Sequence, residues 1–379
     1  MMAGLLLVGC GAPAASEDAG HVETDAGATD AGLDGGFDGG FDAGRDAGMA
    51  AENDAGSDAA VDGGSDAGFP FPFLATGQDL PHRITLADGY VYWTNVGHSM
   101  GAIEVPGALM RCALPSCAGG PEVMVPDLSR AFGVAVDATH AHVGTRGYPS
   151  PVLRCSVDGC AGPETLAADE CAPGSVVHDG STLYWATYCN PAELRACDPT
   201  SCTPSTIASG FRFAQALRLV GDTLYFTAHI LDEGLVLACP RAGCGTTPER
   251  LFATTEFAGG PRNVEAVGDA VYWTAGGGMP AVWSCARSDC AATASRLVPA
   301  TNPGAIVARG GYLYWLEYGV GFPSSLRRCA LADCAATVED VTTELESYVE
   351  DMVLDDAHAY VVQRGRDAYE GSIVAVPLP

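Results

Sequence analysis

The sequence predicts an all-β fold: a seven-bladed β-propeller of four-stranded antiparallel blades, preceded by a disordered N-terminal tether. Three observations predict it. A Cys-x4-Cys pair recurs six times at intervals of about 42 to 46 residues, as Cys112/Cys117, Cys155/Cys160, Cys197/Cys202, Cys239/Cys244, Cys285/Cys290 and Cys329/Cys334. A short aromatic and β-branched run, such as Val91-Tyr92-Trp93-Thr94 or Val271-Tyr272-Trp273-Thr274, recurs with the same period. Each such run follows an apolar run and an Asp/Gly turn, so one strand–turn–strand piece is repeated seven times. A unit this short cannot bury its apolar face alone, and stacking several of them around an axis solves that problem.

At the N-terminus, residues 1–9 are read as a signal peptide, and Leu7-Val8-Gly9-Cys10 resembles the lipobox of bacterial lipoproteins. The resemblance implies cleavage before Cys10 and a diacylglycerol thioether on its sulfur. Cys10 is also the odd one of fifteen cysteines, which leaves fourteen to pair. Residues 10–72 are read as a tether. Asp-Ala-Gly and Asp-Gly-Gly units repeat there, and residues 11–72 hold fourteen Asp/Glu against one Arg, −13 of the net charge of −28. Such a segment has too little apolar surface to offset the entropy of ordering, and self-repulsion extends it over a span on the order of 45 Å. Its Asp spacing matches neither an EF-hand nor a glycine-rich calcium nonapeptide, which favours a solvated spacer over calcium chelation.

Residues 73–379 carry the propeller. The strand–turn–strand pieces are Ile84–Trp93, Val134–Val143, Val176–Trp185, Leu217–Phe226, Val264–Trp273, Ile306–Trp315 and Met352–Val361. Asp or Gly in each turn is expected to supply the positive φ of a tight hairpin. Third strands such as Val152–Cys155 and Leu326–Cys329 follow, and fourth strands are expected to start at the second cysteine. The seventh unit lacks cysteines and ends with its third strand, Ser372–Val376. Phe71–Ala75 stands ahead of the first unit with no third strand before it. This segment is therefore predicted to supply the outer strand of the last blade and close the ring.

The units Tyr92-Trp93-Thr94, Tyr184-Trp185, Tyr225-Phe226-Thr227, Tyr272-Trp273-Thr274 and Tyr314-Trp315 resemble the YWTD propeller repeats of lipoprotein-receptor ectodomains. The resemblance implies a propeller that binds protein partners without catalysis. The family's motif aspartate is absent, with Asn95, Thr187, Ala228, Ala275 and Glu317 at the following positions. The cysteine pairs are no part of that pattern, and that family has six blades, so the partner class stays open.

Residues i and i+5 of a hairpin face each other near the Cα separation a disulfide accepts, so each Cys-x4-Cys pair is expected to form an intrablade disulfide worth roughly 2 kcal/mol. Zinc would require two pairs to converge, whereas successive blades hold them apart. Dithiol catalysis usually spaces its cysteines by two residues. Cys171 and Cys189 fall outside the period, in two loops that propeller topology places on one face, and they are expected to bond to each other. Disulfides agree with an exported location.

The function classes narrow by composition and motif. The acidic charge argues against nucleic acid, which needs basic clusters, and no apolar run reaches the roughly 18 to 20 residues of a spanning helix. No nucleophile elbow, zinc-protease helix or phosphate loop is present in the sequence. His140 and His142 form a possible metal pair, but they align with repeat positions, His142 with the blade tyrosine, and are read as structural. The variable elements are the loops joining second to third strands, and in propellers that face usually binds. The candidate binding residues there are Arg146, Tyr148, Tyr188, His229, Glu317, Tyr318, Phe322, Arg364, Arg366 and Tyr369. The chain is thus read as a monomer, lipid-anchored at the outer membrane or cell surface. Its propeller is read as a non-catalytic scaffold for a protein or envelope polysaccharide, with no cofactor and no metal. Two alternatives stay open: an extracellular hydrolase or lyase with a central-channel site, and a structural envelope protein.

Overall fold

The computed structural model describes residues 69–379 apart from 101–102, 148–149, 256–259, 279 and 320–321. Cys10, the residues 1–9 read as a signal peptide and nearly all of the segment 10–72 read as a tether lie outside the described residues. Seven four-stranded antiparallel sheets form the blades of a β-propeller, as the repeat predicts. Their opening strands are Pro81–Ala87, Ala131–Val136, Pro173–His178, Leu217–Val220, Pro261–Val267, Pro303–Arg309 and Val349–Leu354, for blades 1 to 7. One register repeats throughout: Ile84 faces Trp93, Val134 faces Val143, Val176 faces Trp185, Leu217 faces Phe226, Val264 faces Trp273, Ile306 faces Trp315 and Met352 faces Val361.

The core lies between neighbouring blades. Tyr184 and Leu194 of blade 3 pack with Leu224, Phe226 and Leu237 of blade 4, and equivalent layers recur around the ring. Trp93, Trp185, Trp273 and Trp315 are wholly buried. A buried indole ordinarily finds an acceptor for its N–H, and three of the four do so among the described residues, Trp273 being the exception. Trp93 donates to Gln78 Oε1, Trp185 to Glu170 Oε2 and Trp315 to Glu317 Oε1, each at 3.0 Å. The threonine after the aromatic pair joins adjacent blades. Thr94 Oγ1 donates to Phe132 O at 2.9 Å, and Thr274 Oγ1 donates to Gly304 O at 2.7 Å, each reaching the opening strand of the next blade.

The ring closes through the N-terminal segment. Phe73–Gln78 pairs antiparallel with Gly371–Pro377, with Phe73 opposite Val374, and completes blade 7. The closing strand is the one predicted, starting two and ending three residues further along than Phe71–Ala75. Phe69 stacks on Phe73 at 4.7 Å and meets Phe71 edge-on at 5.7 Å, so these aromatics pack against the last blade.

All six Cys-x4-Cys pairs are bonded: Cys112 to Cys117, Cys155 to Cys160, Cys197 to Cys202, Cys239 to Cys244, Cys285 to Cys290 and Cys329 to Cys334. Their Cα separations run from 4.8 to 5.6 Å. The place of the second cysteine differs from expectation. None of Cys117, Cys160, Cys202, Cys244, Cys290 and Cys334 starts a fourth strand, and none lies in a strand at all. Fourth strands start instead at Glu122, Glu164, Ser205, Glu249, Ser295 and Glu339, several residues further on.

Register explains the correction. The last rung between third and fourth strands falls on the residue just before the first cysteine: Arg111 faces Glu122, Arg154 faces Glu164, Ala196 faces Ser205, Ala238 faces Glu249, Ser284 faces Ser295 and Arg328 faces Glu339. The first cysteine is already past that ladder, so the second cannot be its cross-strand partner. It sits in a compact loop beyond the sheet. Cys117 N donates to Ala113 O at 2.9 Å, and Cys160 and Cys202 follow the turns that end the third strand. Cys244 N donates to Ile207 O of blade 3 at 2.9 Å, so that loop leans on the neighbouring blade. Cys290 opens a single helical turn and Cys334 a 3-10 turn. Each staple therefore ties the end of the third strand to its own loop rather than joining two ladder partners.

The hairpin turns differ in a second respect. Five turns supply the expected positive φ, at Asp88 (47°) with Gly89, at Gly180, at Gly221, at Gly268, and at Gly310 with Gly311, but Asp137, Asp179 and Asp355 do not themselves adopt that conformation. They close the turn with the side chain instead. Asp355 Oδ1 accepts Ala357 N and His358 N, both at 2.7 Å, while Oδ2 accepts the Tyr360 hydroxyl at 2.7 Å. Asp179 holds Tyr184 in the same way at 3.1 Å, and Asp137 holds His142 Nε2 at 2.9 Å. His142 thus occupies the blade-tyrosine position, as its alignment indicated.

Candidate functional site

In this topology the loops joining second to third strands emerge on one face of the disc with the blade-to-blade connections. The hairpin turns and cysteine loops emerge on the other. On the turn face arginines pair with carboxylates: Arg111 with Glu122 at 2.7 Å, Arg154 with Glu164 at 2.8 Å and Arg328 with Glu339 at 2.6 Å at equivalent blade positions, and Arg309 with Asp356 at 2.7 Å.

The loop face carries different chemistry. A stack of alternating rings and charges crosses blades 3, 2, 1 and 7 at the channel mouth. The Arg146 guanidinium lies between the Tyr188 ring at 4.3 Å and the Phe132 ring at 4.0 Å. Phe132 packs on the His82 imidazole at 4.4 Å, and His82 Nε2 stands 3.2 Å from Glu350 Oε1. Guanidinium–ring contacts of this kind add to simple burial. Gly174 makes room for the stack, since a Cβ there would collide with Arg146 Nη2. Burial, and then the positive charges of Arg83, Arg146 and Arg364, hold the His82 imidazole well below its ordinary pKa, so it is neutral at pH 7.

Beneath the mouth the opening strands enclose a cavity of about 330 Å3. Arg83, Ser175, His178, Arg218, Asn263 and Asp351 are among the residues of its polar part, Arg218 standing 3.8 Å from Glu265; Ile84, Val134, Val176 and Leu217 line its apolar part. The channel edge of each opening strand has no ladder partner, and side chains from the next blade satisfy part of it. Asp351 Oδ2 accepts Ile84 N at 3.3 Å across the blade 7–blade 1 boundary, and His178 Nε2 meets Val136 O at 2.8 Å.

The sequence-predicted residues divide into several groups. Arg146 and Tyr188 come together in the stack. Arg364 lies close enough to depress His82. Phe322 and Tyr369 are exposed by 74% and 54%, and Leu231 in the blade 4 loop by 66%. Tyr369 meets the His98 ring edge-on at 5.2 Å, and His98 Nδ1 is 2.8 Å from Asp79 Oδ2. Arg366 is exposed beside them. Three others serve the scaffold. Glu317 accepts Trp315 Nε1 at 3.0 Å, Arg327 Nη1 at 3.1 Å and Thr301 N at 3.1 Å. The Tyr318 hydroxyl takes a hydrogen bond from Arg262 Nη1 at 2.8 Å. His229 forms a backbone bridge with Arg212, and burial lowers its pKa. Tyr148 lies outside the described residues. Cys171 and Cys189 are bonded at a Cα separation of 6.0 Å and brace the loops that bear Tyr188. The residues missed were His82, Arg83, Phe132, Glu350 and Asp351, all in the two positions before the apolar residue of an opening strand. Comparing those positions between repeats would have exposed them, because Ile84, Val134 and Met352 fix the alignment.

No known protein-family profile matches the chain. No curated protein matches it either. Solved structures match in fold. Hydrazine synthase from Kuenenia stuttgartiensis is 13% identical with a TM-score of 0.58, covering 79% of this chain and 97% of that one. YCF48 bound to D1 peptide is 12% identical with a TM-score of 0.58, covering 81% and 95%. Puromycin hydrolase is 11% identical with a TM-score of 0.56, covering 77% of this chain and 52% of that one. Identities this low establish the propeller fold and nothing of its chemistry.

Proposed function

We propose that the protein is a cell-surface lipoprotein whose propeller is a non-catalytic scaffold, presenting its loop face to a protein or an envelope polysaccharide. One observation carries this reading. Of the large apolar side chains exposed among the described residues, Leu231, Phe322 and Tyr369 lie in second-to-third-strand loops, and Val123 alone lies elsewhere. Exposed apolar groups gathered on one face, beside an aromatic–guanidinium stack, are the composition of an interface centre. Seven disulfides support export, and the lipobox supports anchoring at Cys10. The YWTD resemblance supports binding rather than catalysis. The test is to cross-link the intact protein on its native cell surface and identify what co-purifies by mass spectrometry, against a tether-only control. A partner lost on substituting the 317–326 or 364–370 loop supports the scaffold. An empty purification removes its support.

A second reading, an extracellular hydrolase or lyase, is favoured by one feature: a neutral His82 beside Glu350 at the channel mouth, with Asp351 next in sequence. A panel of glycan and ester substrates tests it, and turnover abolished by Glu350→Gln would move the assignment to an enzyme.

A further inference from the structure

The cavity below the channel mouth contains a cation whose hydrogen-bonding capacity is unused. A guanidinium has five N–H donors in a planar fork. Among the described residues, the side chain of Arg83 donates no hydrogen bond, and its Nε is shut off from solvent. Its ion-pair partner, Asp351 Oδ2, stands 3.9 Å from Nη1, beyond hydrogen-bond reach, and instead accepts Ile84 N. The side chain is 20% exposed and lines the cavity, so its two Nη groups, with no protein acceptor among the described residues, are open to an acceptor that enters it. Arg146 and Arg364 join Arg83 around the same mouth, three cations against the carboxylates of Asp351 and Glu350, in a chain whose net charge is −28. Their field favours an anion at this point of an otherwise acidic molecule.

The rest of the lining narrows the anion. Ser175 lies at the same level as Arg83 and makes no side-chain hydrogen bond among the described residues. Asn263 and Asp351 add an amide and a carboxylate from blades 5 and 7. The open channel edges of the opening strands add further donors and acceptors. Ile84, Val134, Val176 and Leu217 supply an apolar wall, and the volume of about 330 Å3 lies near the lower end for ligand sites. We infer that the channel cavity binds a small hydroxylated carboxylate of the sugar-acid type, its carboxylate held by the Arg83 fork and its hydroxyls by Ser175, Asn263 and Asp351. A planar carboxylate matches the guanidinium in bidentate fashion, and a neutral sugar does not. The inference is independent of what docks on the exposed loops, because none of Leu231, Phe322 and Tyr369 lines the cavity.

The test is calorimetric titration of D-glucuronate, its methyl ester, D-gluconate and D-glucose into the purified full chain. At least one of the two free acids is expected to bind, with the ester and glucose about tenfold or more weaker. Arg83→Gln is expected to lower affinity for that acid by about ten- to a hundred-fold while leaving thermal unfolding near that of the wild type. If neither acid binds, or glucuronate and its ester bind equally, the inference is overturned, and the second comparison needs no variant. An Arg83→Gln protein that folds and binds the acid as the wild type does would also overturn it.

Discussion

Asp179 offers the sharpest test of how the blades are held. It opens the hairpin turn of blade 3 and reaches into blade 4. Oδ1 accepts Ser181 N at 2.9 Å, Ser181 Oγ at 2.8 Å and Thr182 N at 2.8 Å; Oδ2 accepts the Tyr184 hydroxyl at 3.1 Å and Arg241 Nη1 at 2.9 Å. Asp179→Ala removes all five. The turn donors can regain water, so each contributes only about 0.5 kcal/mol. The Tyr184 hydroxyl belongs to a residue only 3% exposed, and losing its acceptor costs about 1–2 kcal/mol. Arg241 is 44% exposed, so its ion pair adds between about 0 and 1 kcal/mol. The total is about 2.5–4.5 kcal/mol, or roughly 4–7 °C in Tm for a domain of this size. Equilibrium unfolding with the disulfides intact, followed by tryptophan fluorescence, measures it.

The same residue makes a pH prediction. Burial alone would raise its pKa, but the hydrogen bonds from Ser181, Thr182 and Tyr184 outweigh burial and hold it at about 2, against an ordinary 3.8. A depressed carboxylate stabilises fully above the unfolded value and loses that contribution as pH falls through the folded value. The stability gap between wild type and Asp179→Asn should therefore narrow as pH falls from about 4 to about 2. A gap constant over that window, or an Asp179→Ala cost below about 0.5 kcal/mol, would refute the reasoning.

Other outcomes follow from the same contacts. Replacing Cys171 and Cys189 by serine should cost about 3 kcal/mol on the chain-entropy argument, read by unfolding in non-reducing buffer, with protease cleavage appearing first in the loops of blade 3. His142→Tyr should retain wild-type stability because a tyrosine hydroxyl can meet Asp137, whereas His142→Ala should lose about 2–3 kcal/mol; equal losses would contradict the shared position. Thr274→Val removes the hydroxyl bonded to Gly304 O inside the blade 5–blade 6 contact, and about 1–2 kcal/mol of stability with it, measurable by denaturant titration. Leu74→Asp places a charge on the closing strand at a site 5% exposed, and should release blade 7 to limited proteolysis before the rest of the ring.

The sequence displayed the architecture because each blade repeats the same physical requirements. A buried aromatic at Trp93, Trp185, Trp273 or Trp315 and a cysteine pair past the third strand recur with one period, and period is what a sequence shows directly. The closing strand was legible for a related reason: Phe71–Ala75 and Ser372–Val376 each lacked a neighbour. What was obscured depended on the third dimension. Spacing showed that Cys160 bonds Cys155 and Cys334 bonds Cys329, but it did not show that the ladder had already ended one residue earlier. The turn role of Asp137, Asp179 and Asp355 lies in side-chain geometry, and composition alone makes Asp look like a residue selected for φ. The threonine of Tyr-Trp-Thr read as strand propensity, while its hydroxyl in fact joins two blades. At the candidate site, Arg146 and Tyr188 were visible as loop residues, but Phe132, His82 and Glu350 were not. Those three lie in strands, and only the ring brings blades 7, 1 and 2 side by side. Glu317 looked like a binding residue because the sequence placed it at the start of a long loop; it ends the strand Tyr312–Glu317, and its partner Trp315, two residues away, explains it better.

The central claim is that the loop face, and not the turn face, engages a partner. Photo-cross-linking residues placed singly at positions 231, 322 and 369, and at 123 as the turn-face control, test it on the native cell surface. The account predicts discrete adducts from at least one of the three loop positions and none from 123. Adducts from 123 alone, or identical patterns at all four positions, would contradict it.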